Sequence, residues 1–241
     1  MTNLTPQDHA KIAAGRHAAA NYCQPGMRIG LGSGTTSHFF VRALAERVKQ
    51  GLDVVGVPTS TSTRDLALEL GIPLADLNDV GQLDICIDGP DEIDPDGNMI
   101  KGGGACLLWE KIVATSSRRM VVIADNSKLV RQLGAFPLPV EVVQFGHEAT
   151  TRAVRALLND FGYADVRITP RMRNGERLVT DNGNYIIDLH LGAIDRPAEL
   201  TVELNRIPGV VENGLFVGIA AEVVFGYPDG RVEVRDLPME R

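Results

Sequence analysis

Apolar and polar positions along the first half of the chain alternate between short buried strands and amphipathic helices. Apolar runs with the length of strands buried on both faces occupy residues 27–31, 54–57, 83–87 and 120–124. After the first run, Phe40, Leu44 and Val48 recur at helical spacing and share one face. Further helices are predicted over residues 6–21, 60–70 and 105–117. Strands that alternate with helices predict parallel βαβ units, so we expect an α/β fold with a Rossmann-like, mostly parallel sheet flanked by helices.

The pattern changes after Phe136, where Pro137 and Pro139 interrupt the chain. The next segment has the order β-α-β-β-α, with elements predicted at residues 140–143, 148–161, 165–169, 185–191 and 197–205. This order is typical of a small ferredoxin-like α+β domain. Final strands are predicted at residues 215–219, 222–225 and 231–234. We therefore predict an α/β catalytic domain from residues 1–134 and 208–241, with a smaller α+β domain inserted at 135–207.

The composition, with 44% hydrophobic and 23% charged residues, is ordinary for a globular enzyme. The formal net charge of −7 disfavours a nucleic-acid-binding surface, although a local pocket can still attract an anion. Cys23, Cys86 and Cys106 form no CxxC pair, and the 5 histidines show no metal-ligand spacing. No apolar run approaches the about 18 residues of a membrane span. We expect a reduced, cytoplasmic chain without a metal site or a membrane segment.

A glycine- and hydroxyl-rich loop, Gly30-Leu31-Gly32-Ser33-Gly34-Thr35-Thr36, joins a predicted strand to a helix. In such a loop, backbone N–H groups and the positive end of the helix can face an anion. The spacing departs from the dinucleotide fingerprint at Thr35, and no Gly-Lys-Ser/Thr follows as in a P-loop. A single phosphate or carboxylate is therefore favoured. The alternative is a tight turn whose hydroxyls only cap the helix.

Carboxylates are concentrated in Asp88-Gly89-Pro90-Asp91-Glu92, after the strand predicted over 83–87. In a parallel sheet this is the edge where ligands bind. Neighbouring carboxylates can raise one another's pKa and serve as acid and base, which makes Asp88 and Asp91 candidates. An acidic turn without a chemical role is the alternative. A calcium loop counted from Glu92 is not predicted, because Gly103 stands where such a loop needs a final glutamate.

Three consecutive glycines follow a lysine in Lys101-Gly102-Gly103-Gly104, just before the helix predicted from Ala105. Glycine loses more backbone freedom on folding than any other residue, so the run is best explained by a ligand that approaches the backbone closely. Glu110 lies in the first two turns of that helix. A lone glutamate there is ordinarily a solvated surface group, and only its neighbours in the sequence make Glu110 a candidate.

A further candidate is Lys128, which ends the turn Ala124-Asp125-Asn126-Ser127-Lys128 after a buried strand. It could reach a substrate phosphate or lie exposed as an ordinary surface lysine.

Taken together and in this order, these motifs resemble those of ribose-5-phosphate isomerases of type A. The resemblance runs from about residue 22 to residue 230. The segments that carry it are Gly32–Thr36, Asp88–Glu92, Met99–Ala105, Glu110–Ile112, Ala124–Lys128, Phe136–Val142, Val179–Asn184 and Ile207–Val211.

The resemblance implies an isomerase that interconverts D-ribose 5-phosphate and D-ribulose 5-phosphate through an enediol(ate), in the non-oxidative pentose phosphate pathway, without metal or organic cofactor. It makes Glu110 the catalytic base. From the chemistry of the reaction we predict Asp88, Asp91 and Lys101 as further catalytic residues. The implied substrate contacts are Ser33, Gly34, Thr35, Thr36, Asp88, Gly89, Pro90, Asp91, Lys101, Gly102, Gly103, Gly104 and Lys128. A homodimer or a dimer of dimers, in contact through the inserted domain, is also implied.

The chain departs from the family pattern at two positions. Pro90 stands where the family more often has alanine, which should stiffen the acidic loop. Ile12 stands where members often have a phosphate-binding lysine, so that contact is not carried over.

Two other classes of function fit the same motifs. A non-catalytic sugar-phosphate sensor could use this kind of α/β site, but the sequence shows no basic DNA-binding appendage. A CoA-transferase-like enzyme would use a glutamate as a covalent nucleophile. The first would bind a pentose phosphate without turnover, and the second would form an adduct with an acyl-CoA.

Overall fold

A computed structural model describes residues 4–237 of the chain, which form two compact units. The first unit consists of residues 4–90, Trp109–Leu129 and 218–237. The second consists of Asp91–Leu108 and Val130–Val217. This division differs from the predicted domains, because residues 91–108, 130–134 and 208–217 lie in the second unit. The catalytic domain at 1–134 and 208–241 and the inserted domain at 135–207 stay a prediction.

Both units contain helices and strands. The helices are α1 (Pro6–Tyr22), α2 (Thr35–Lys49), α3 (Thr61–Leu70), α4 (Leu77–Val80), α5 (Leu107–Thr115), α6 (His147–Asp160) and α7 (Pro197–Asn205). The strands are β1 (Met27–Leu31), β2 (Val54–Pro58), β3 (Ile85–Asp88), β4 (Glu92–Ile93), β5 (Met99–Ile100), β6 (Met120–Asp125), β7 (Leu138–Val142), β8 (Arg167–Pro170), β9 (Met172–Arg173), β10 (Glu176–Arg177), β11 (Tyr185–His190), β12 (Val210–Asn213), β13 (Leu215–Phe216), β14 (Ala220–Gly226) and β15 (Val232–Asp236). Across residues 4–237 no helix has the length and apolar character needed to cross a bilayer.

The first unit is built on a six-stranded sheet in the order β15-β14-β6-β3-β1-β2. The strands from β14 to β2 pair in parallel, and β15 pairs antiparallel with β14. This confirms the predicted Rossmann-like α/β class. Leu31 pairs with Ile87, and Asp88 pairs with Val122. The loops that follow β1 and β3 therefore leave the sheet at the same edge.

The second unit contains a four-stranded antiparallel sheet in the order β12-β7-β11-β8. Its core is formed with α6 and α7, through residues that include Val154, Leu158, Leu200 and Leu204. This arrangement agrees with the predicted α+β domain. A short sheet, β13-β5-β4, lies in the same unit, and Lys101 directly follows its strand β5. The sequence pattern does not predict the two-residue strands β4, β5, β9 and β10, because strands this short have too few positions to show a period. It also does not predict β12, which has four residues.

Helix α5 begins at Leu107, two residues later than predicted. Ala105 has a φ of 65°, in the left-handed region. Such a residue cannot belong to a right-handed helix. The N–H of Ala105 instead donates to the carbonyl of Gly102 at 2.9 Å, which closes a turn over the glycine run.

Helix α1 packs very close to the backbone of β14 in the first unit. Thr5 and Asp8 cap the start of α1 reciprocally, and Ala10 and Ala14 form part of its buried face. A Cβ atom added at Gly226 would lie 1.9 Å from the carbonyl oxygen of Ala10 and 3.0 Å from the nitrogen of Ala14. A backbone obstacle of this kind cannot rotate away as a side chain can.

We therefore expect Gly226→Ala to lower the free energy of unfolding by about 1–3 kcal/mol, the range for overpacking a well-packed core. Urea unfolding monitored by circular dichroism measures this loss. Gly104→Ala is the matched control, because its Cβ would meet only the Sγ of Cys106, at 3.8 Å. A Gly226→Ala variant as stable as the wild type would show that α1 can shift away from β14 without cost.

Candidate active site

The loop between β1 and α2 has the geometry of an anion site. Gly34, the N-cap residue of α2, has a φ of 88°, which glycine adopts without strain. Within the described residues no side chain caps α2, so its first N–H groups and its positive end are directed at the loop. The predicted contacts Ser33, Gly34, Thr35 and Thr36 lie at this helix start. Their binding of phosphate stays a prediction.

A cluster of buried hydroxyls, which the sequence analysis does not identify, supports this loop. The Oγ of Ser33 lies 2.7 Å from the Oγ1 of Thr59, 2.7 Å from the Oγ of Ser60 and 3.3 Å from the Oγ1 of Thr63. These three residues follow β2, which is the neighbour of β1 in the sheet. The run of hydroxyl residues at 59–63 could have been used to predict this cluster, because it follows a predicted strand as the other candidate residues do. The cluster fixes the side chain of Ser33.

His38, one turn into α2, does not add positive charge to this loop. Burial lowers the pKa of its imidazole, and the nearby Arg42 lowers the pKa further. The Nε2 atom of His38 is buried and makes no hydrogen bond within residues 4–237. A neutral ring fits these surroundings, so the positive charge at this loop comes from the backbone N–H groups and the helix end.

Asp88 connects the end of β3 to the loop between β1 and α2. Its side chain is 0% exposed, and its Oδ1 accepts hydrogen bonds from the N–H of Ser33 at 2.9 Å, the Oγ of Ser37 at 3.0 Å and the N–H of Gly89 at 2.7 Å. A Cβ at Gly32 would lie 2.2 Å from the same oxygen, which explains that glycine. Asp88 is thus a fixed, buried carboxylate rather than part of a loose acidic turn.

Glu110 lies in the first turn of α5 and is only 5% exposed. The helix approaches β1 closely, because a Cβ at Gly30 would lie 2.6 Å from Cγ1 of Val113. Glu110 is therefore not the solvated surface group that its sequence position alone suggests. The preceding Trp109 lines a cavity of about 600 Å³, together with Leu68, Ile112 and others. The lining of that cavity includes no predicted substrate contact among the described residues.

Lys128 ends a short 3₁₀ helix, Asn126–Lys128, after β6. Asp125 caps this helix by accepting the N–H of Ser127 at 3.2 Å, and its carboxylate is fully buried. Lys128 is half-buried. The structure thus places it in an ordered, capped turn, and its contact with a phosphate stays a prediction.

In the second unit, Asp91 holds the glycine run. The N–H of Asp91 donates to the carbonyl of Ile100 at 2.7 Å, and its Oδ2 accepts the N–H of Gly103 at 2.7 Å. A Cβ at Gly103 would lie 2.5 Å from Oδ1 of Asp91, so a side chain there would displace the carboxylate. Asp91 and Gly103, which both belong to the predicted site, are in direct contact.

Lys101 is a buried cation, with a side chain that is 1% exposed. It follows β5, and its N–H donates to the carbonyl of Gly214 at 2.9 Å. Its Nζ atom lies 5.6 Å from the centroid of the Phe216 ring, within the range of a cation–π contact. A lysine is almost never buried without a reason, so this position supports a chemical role.

Glu92, the last residue of the acidic motif 88–92, has a structural role. It is buried and accepts the N–H groups of Gly134 at 2.8 Å and Phe136 at 2.6 Å. Both oxygens are therefore used to hold the segment before β7. Within residues 4–237 no group of three or more His, Cys, Asp or Glu side chains is arranged to hold a metal ion.

The motif Val179–Asn184 also serves the fold. Thr180 and Asn184 each donate to Oε1 of Glu141 at 2.9 Å. Glu141 lies on β7 and is fully buried. Thr180 and Asn184 therefore satisfy one oxygen, Oε1, of a buried carboxylate inside the second unit.

Comparisons with known proteins agree with these features. Residues 55–230 match the model of the family described as ribose 5-phosphate isomerase A (phosphoriboisomerase A). Ribose-5-phosphate isomerase A of Cereibacter sphaeroides is 53% identical over 98% of this chain and 95% of its own length. The solved ribose 5-phosphate isomerase from Plasmodium falciparum is 36% identical, with a TM-score of 0.90 over 95% of this chain and 98% of its own. A D-ribose-5-phosphate isomerase solved in complex with phospho-erythronic acid is 38% identical, with a TM-score of 0.85 over 97% of this chain and 100% of its own. The chain therefore belongs to the ribose 5-phosphate isomerase A family.

Proposed function

We propose that this chain interconverts D-ribose 5-phosphate and D-ribulose 5-phosphate, with Glu110 moving the proton between C2 and C1. Family membership supports the reaction, an aldose–ketose isomerisation of the pentose phosphate pathway. The observation that carries the role of Glu110 is its burial in the first turn of α5. A glutamate without a task is ordinarily solvated on a helix. A single carboxylate that reaches both carbons can remove the C2 proton and return it to C1.

Removal of the C2 proton leaves negative charge on the sugar oxygens of the enediolate. Donors fixed in advance at those oxygens lower the barrier, because they need no reorganisation during the reaction. We assign this role to Lys101 and to the glycine run Gly102–Gly104, in which the N–H of Gly103 is held by Asp91. The burial of Lys101 supports the assignment, since a charge acts more strongly where water is excluded.

Asp88 and Asp91 act on the hydroxyl groups of the sugar. The cyclic sugar must open before isomerisation, and that step moves a proton between a hydroxyl and the ring oxygen. We assign assistance in ring opening to Asp88 and orientation of the hydroxyls to Asp91. Gly89 and Pro90, which link the two carboxylates, would contact the sugar. The rigid placement of Asp88 by three donors supports its part in this scheme.

The phosphate group provides binding energy remote from the reacting carbons. We assign it to Ser33, Gly34, Thr35 and Thr36, with Lys128 as a second contact. The left-handed Gly34 and the directed N–H groups of α2 support this role. Binding energy from such a remote group can be used to orient the sugar over the catalytic carboxylate.

A turnover assay on D-ribose 5-phosphate with EDTA present tests this function. We expect conversion to the ketose at an undiminished rate, and in D₂O we expect deuterium at C1 of the product. Deuterium at C1 distinguishes proton transfer through a carboxylate from a direct hydride shift. Folded protein that binds the substrate without turnover would instead indicate a sensor, and a covalent adduct with an acyl-CoA would indicate a transferase.

We also propose that the chain forms a homodimer or a dimer of dimers through the inserted α+β domain, residues 135–207, which lies in the second unit. The described surface of that unit exposes apolar side chains, including Phe145, Met172, Val179 and Val202, and Phe145 is 95% exposed. A large exposed apolar side chain of this kind is expected where another chain packs. A cytoplasmic location stays a prediction that rests on the three cysteines, which are present as thiols.

A further inference from the structure

Within the second unit, one arginine contacts the glycine run Gly102–Gly104. Arg171 lies between β8 and β9, and its Nη1 donates to the carbonyl of Gly102 at 3.1 Å and to that of Gly103 at 2.9 Å. It has no place in the family motifs and was not predicted from the sequence. The two carbonyls belong to successive peptide groups, so a single guanidinium nitrogen holds both.

Arg171 is itself held by a buried carboxylate. Asp188, on β11, is 7% exposed; its Oδ2 accepts Nε of Arg171 at 2.6 Å, and its Oδ1 accepts Nη2. Two parallel hydrogen bonds of this type fix the plane of the guanidinium as well as its position. The remaining nitrogen, Nη1, is thereby aimed at the glycine run.

Because each peptide group is planar, the hydrogen bonds that fix these two carbonyls also fix the direction of the N–H groups in the same peptides. In a trans peptide the C=O and the next N–H point in opposite directions. The N–H groups of Gly103 and Gly104 must therefore face away from Arg171. The N–H of Gly103 meets Asp91 at 2.7 Å on that side. The N–H of Gly104 is directed to the same side and is the donor that a substrate oxygen can use.

We propose that Arg171, fixed by Asp188, is a positioning residue for the isomerisation: it orients the glycine run so that the N–H of Gly104 faces the enediolate oxygens. Arg171 does not touch the substrate in this scheme and acts through Gly102, Gly103 and Gly104. The inference rests on the proposed function, because it assigns the glycine run to the charged intermediate. A run of glycines needs such an external constraint, because glycine can adopt more backbone conformations than any other residue.

Arg171→Lys tests the proposal, because lysine keeps the positive charge but cannot hold Asp188 by two bonds and two carbonyls together. We expect kcat to fall by roughly 10–100-fold with KM changed by less than about threefold, as expected when a reacting group is misplaced by a fraction of an ångström. Arg173→Lys is the matched control: it is the same substitution on an exposed arginine of β9. Asp188→Asn should shift kcat in the same direction by a smaller factor.

A readout that a purely structural role would not change is the ratio of two binding constants. Phospho-erythronic acid carries a carboxylate at the reacting end, whereas ribitol 5-phosphate carries an uncharged hydroxyl there. Calorimetric titration of Arg171→Lys should show at least about tenfold weaker binding of the first and nearly unchanged binding of the second. Equal weakening of both, or a fall in Tm with wild-type kcat, would overturn the proposal.

The wild type is measured in parallel, which separates this inference from the proposed function. If the wild type fails to isomerise ribose 5-phosphate, the function is wrong, whatever the ratio shows. If the wild type is active and neither Arg171→Lys nor Asp188→Asn changes kcat or the ratio, the positioning role alone is wrong. Should Arg171→Lys not fold, the same two measurements on Asp188→Asn decide the matter.

Discussion

Glu110→Gln is expected to lower kcat by roughly 10²–10⁴-fold, the range typical for the loss of a general base. Glutamine has nearly the same shape as glutamate and can occupy the buried position in the first turn of α5. Its amide cannot accept the C2 proton. In the proposed mechanism the phosphate is bound by other residues, Ser33–Thr36 and Lys128, so KM should change by only about a fewfold.

Stopped-time assays of ribulose 5-phosphate formation measure the effect on kcat. Loss of deuterium from substrate labelled at C2 should slow by the same factor, because it reports the proton transfer directly. Glu46→Gln, the same change at an exposed glutamate of α2, should leave both rates unaltered. Circular dichroism and Tm establish that Glu110→Gln folds. Activity near that of the wild type in a folded variant would remove Glu110 from the role of base.

Much of the first unit could be predicted from the sequence because its signals are local. A strand buried on both faces reads as a short apolar run, and the residue after the run lies at the carboxyl edge of the sheet. Asp88 and the loop at Ser33 follow such runs, and the structure joins them by a hydrogen bond of 2.9 Å. The sequence also predicted the change of architecture near Phe136, where the period of the apolar pattern changes.

The partners of buried polar groups could not be predicted, because they are distant in the sequence. Glu92 stands in the same acidic motif as Asp88 and Asp91, yet it accepts the N–H groups of Gly134 and Phe136. Arg171 directly follows β8 and Asp188 lies on β11, and only the pairing of β8 with β11 brings them together. A sequence motif shows only which residue types are concentrated in one segment of the chain. The tertiary pairing decides which of them face a ligand and which hold the fold.

Lys101 offers the second large effect, since it is the buried cation assigned to the charge of the enediolate. Lys101→Met is expected to lower kcat by roughly 10²–10³-fold, the usual cost of removing one donor from an oxyanion site. Methionine preserves the length and apolar stem of lysine and can still pack on Phe216, which lies 5.6 Å from the present Nζ atom. The substitution therefore removes the charge while retaining most of the packing.

The size of this effect can be separated from a change in stability. Lys49→Met, at an exposed lysine of α2, is the matched control and should leave kcat unchanged. Thermal unfolding of both variants measures any structural cost, and kcat is then compared at a temperature where each is folded. Lys101→Met should also bind phospho-erythronic acid at least about tenfold more weakly, because the carboxylate of that acid loses its cation. A folded Lys101→Met variant with kcat within about threefold of the wild type would mean that the lysine only supports the fold. The charge of the enediolate would then have to be stabilised by the N–H groups of the glycine run alone.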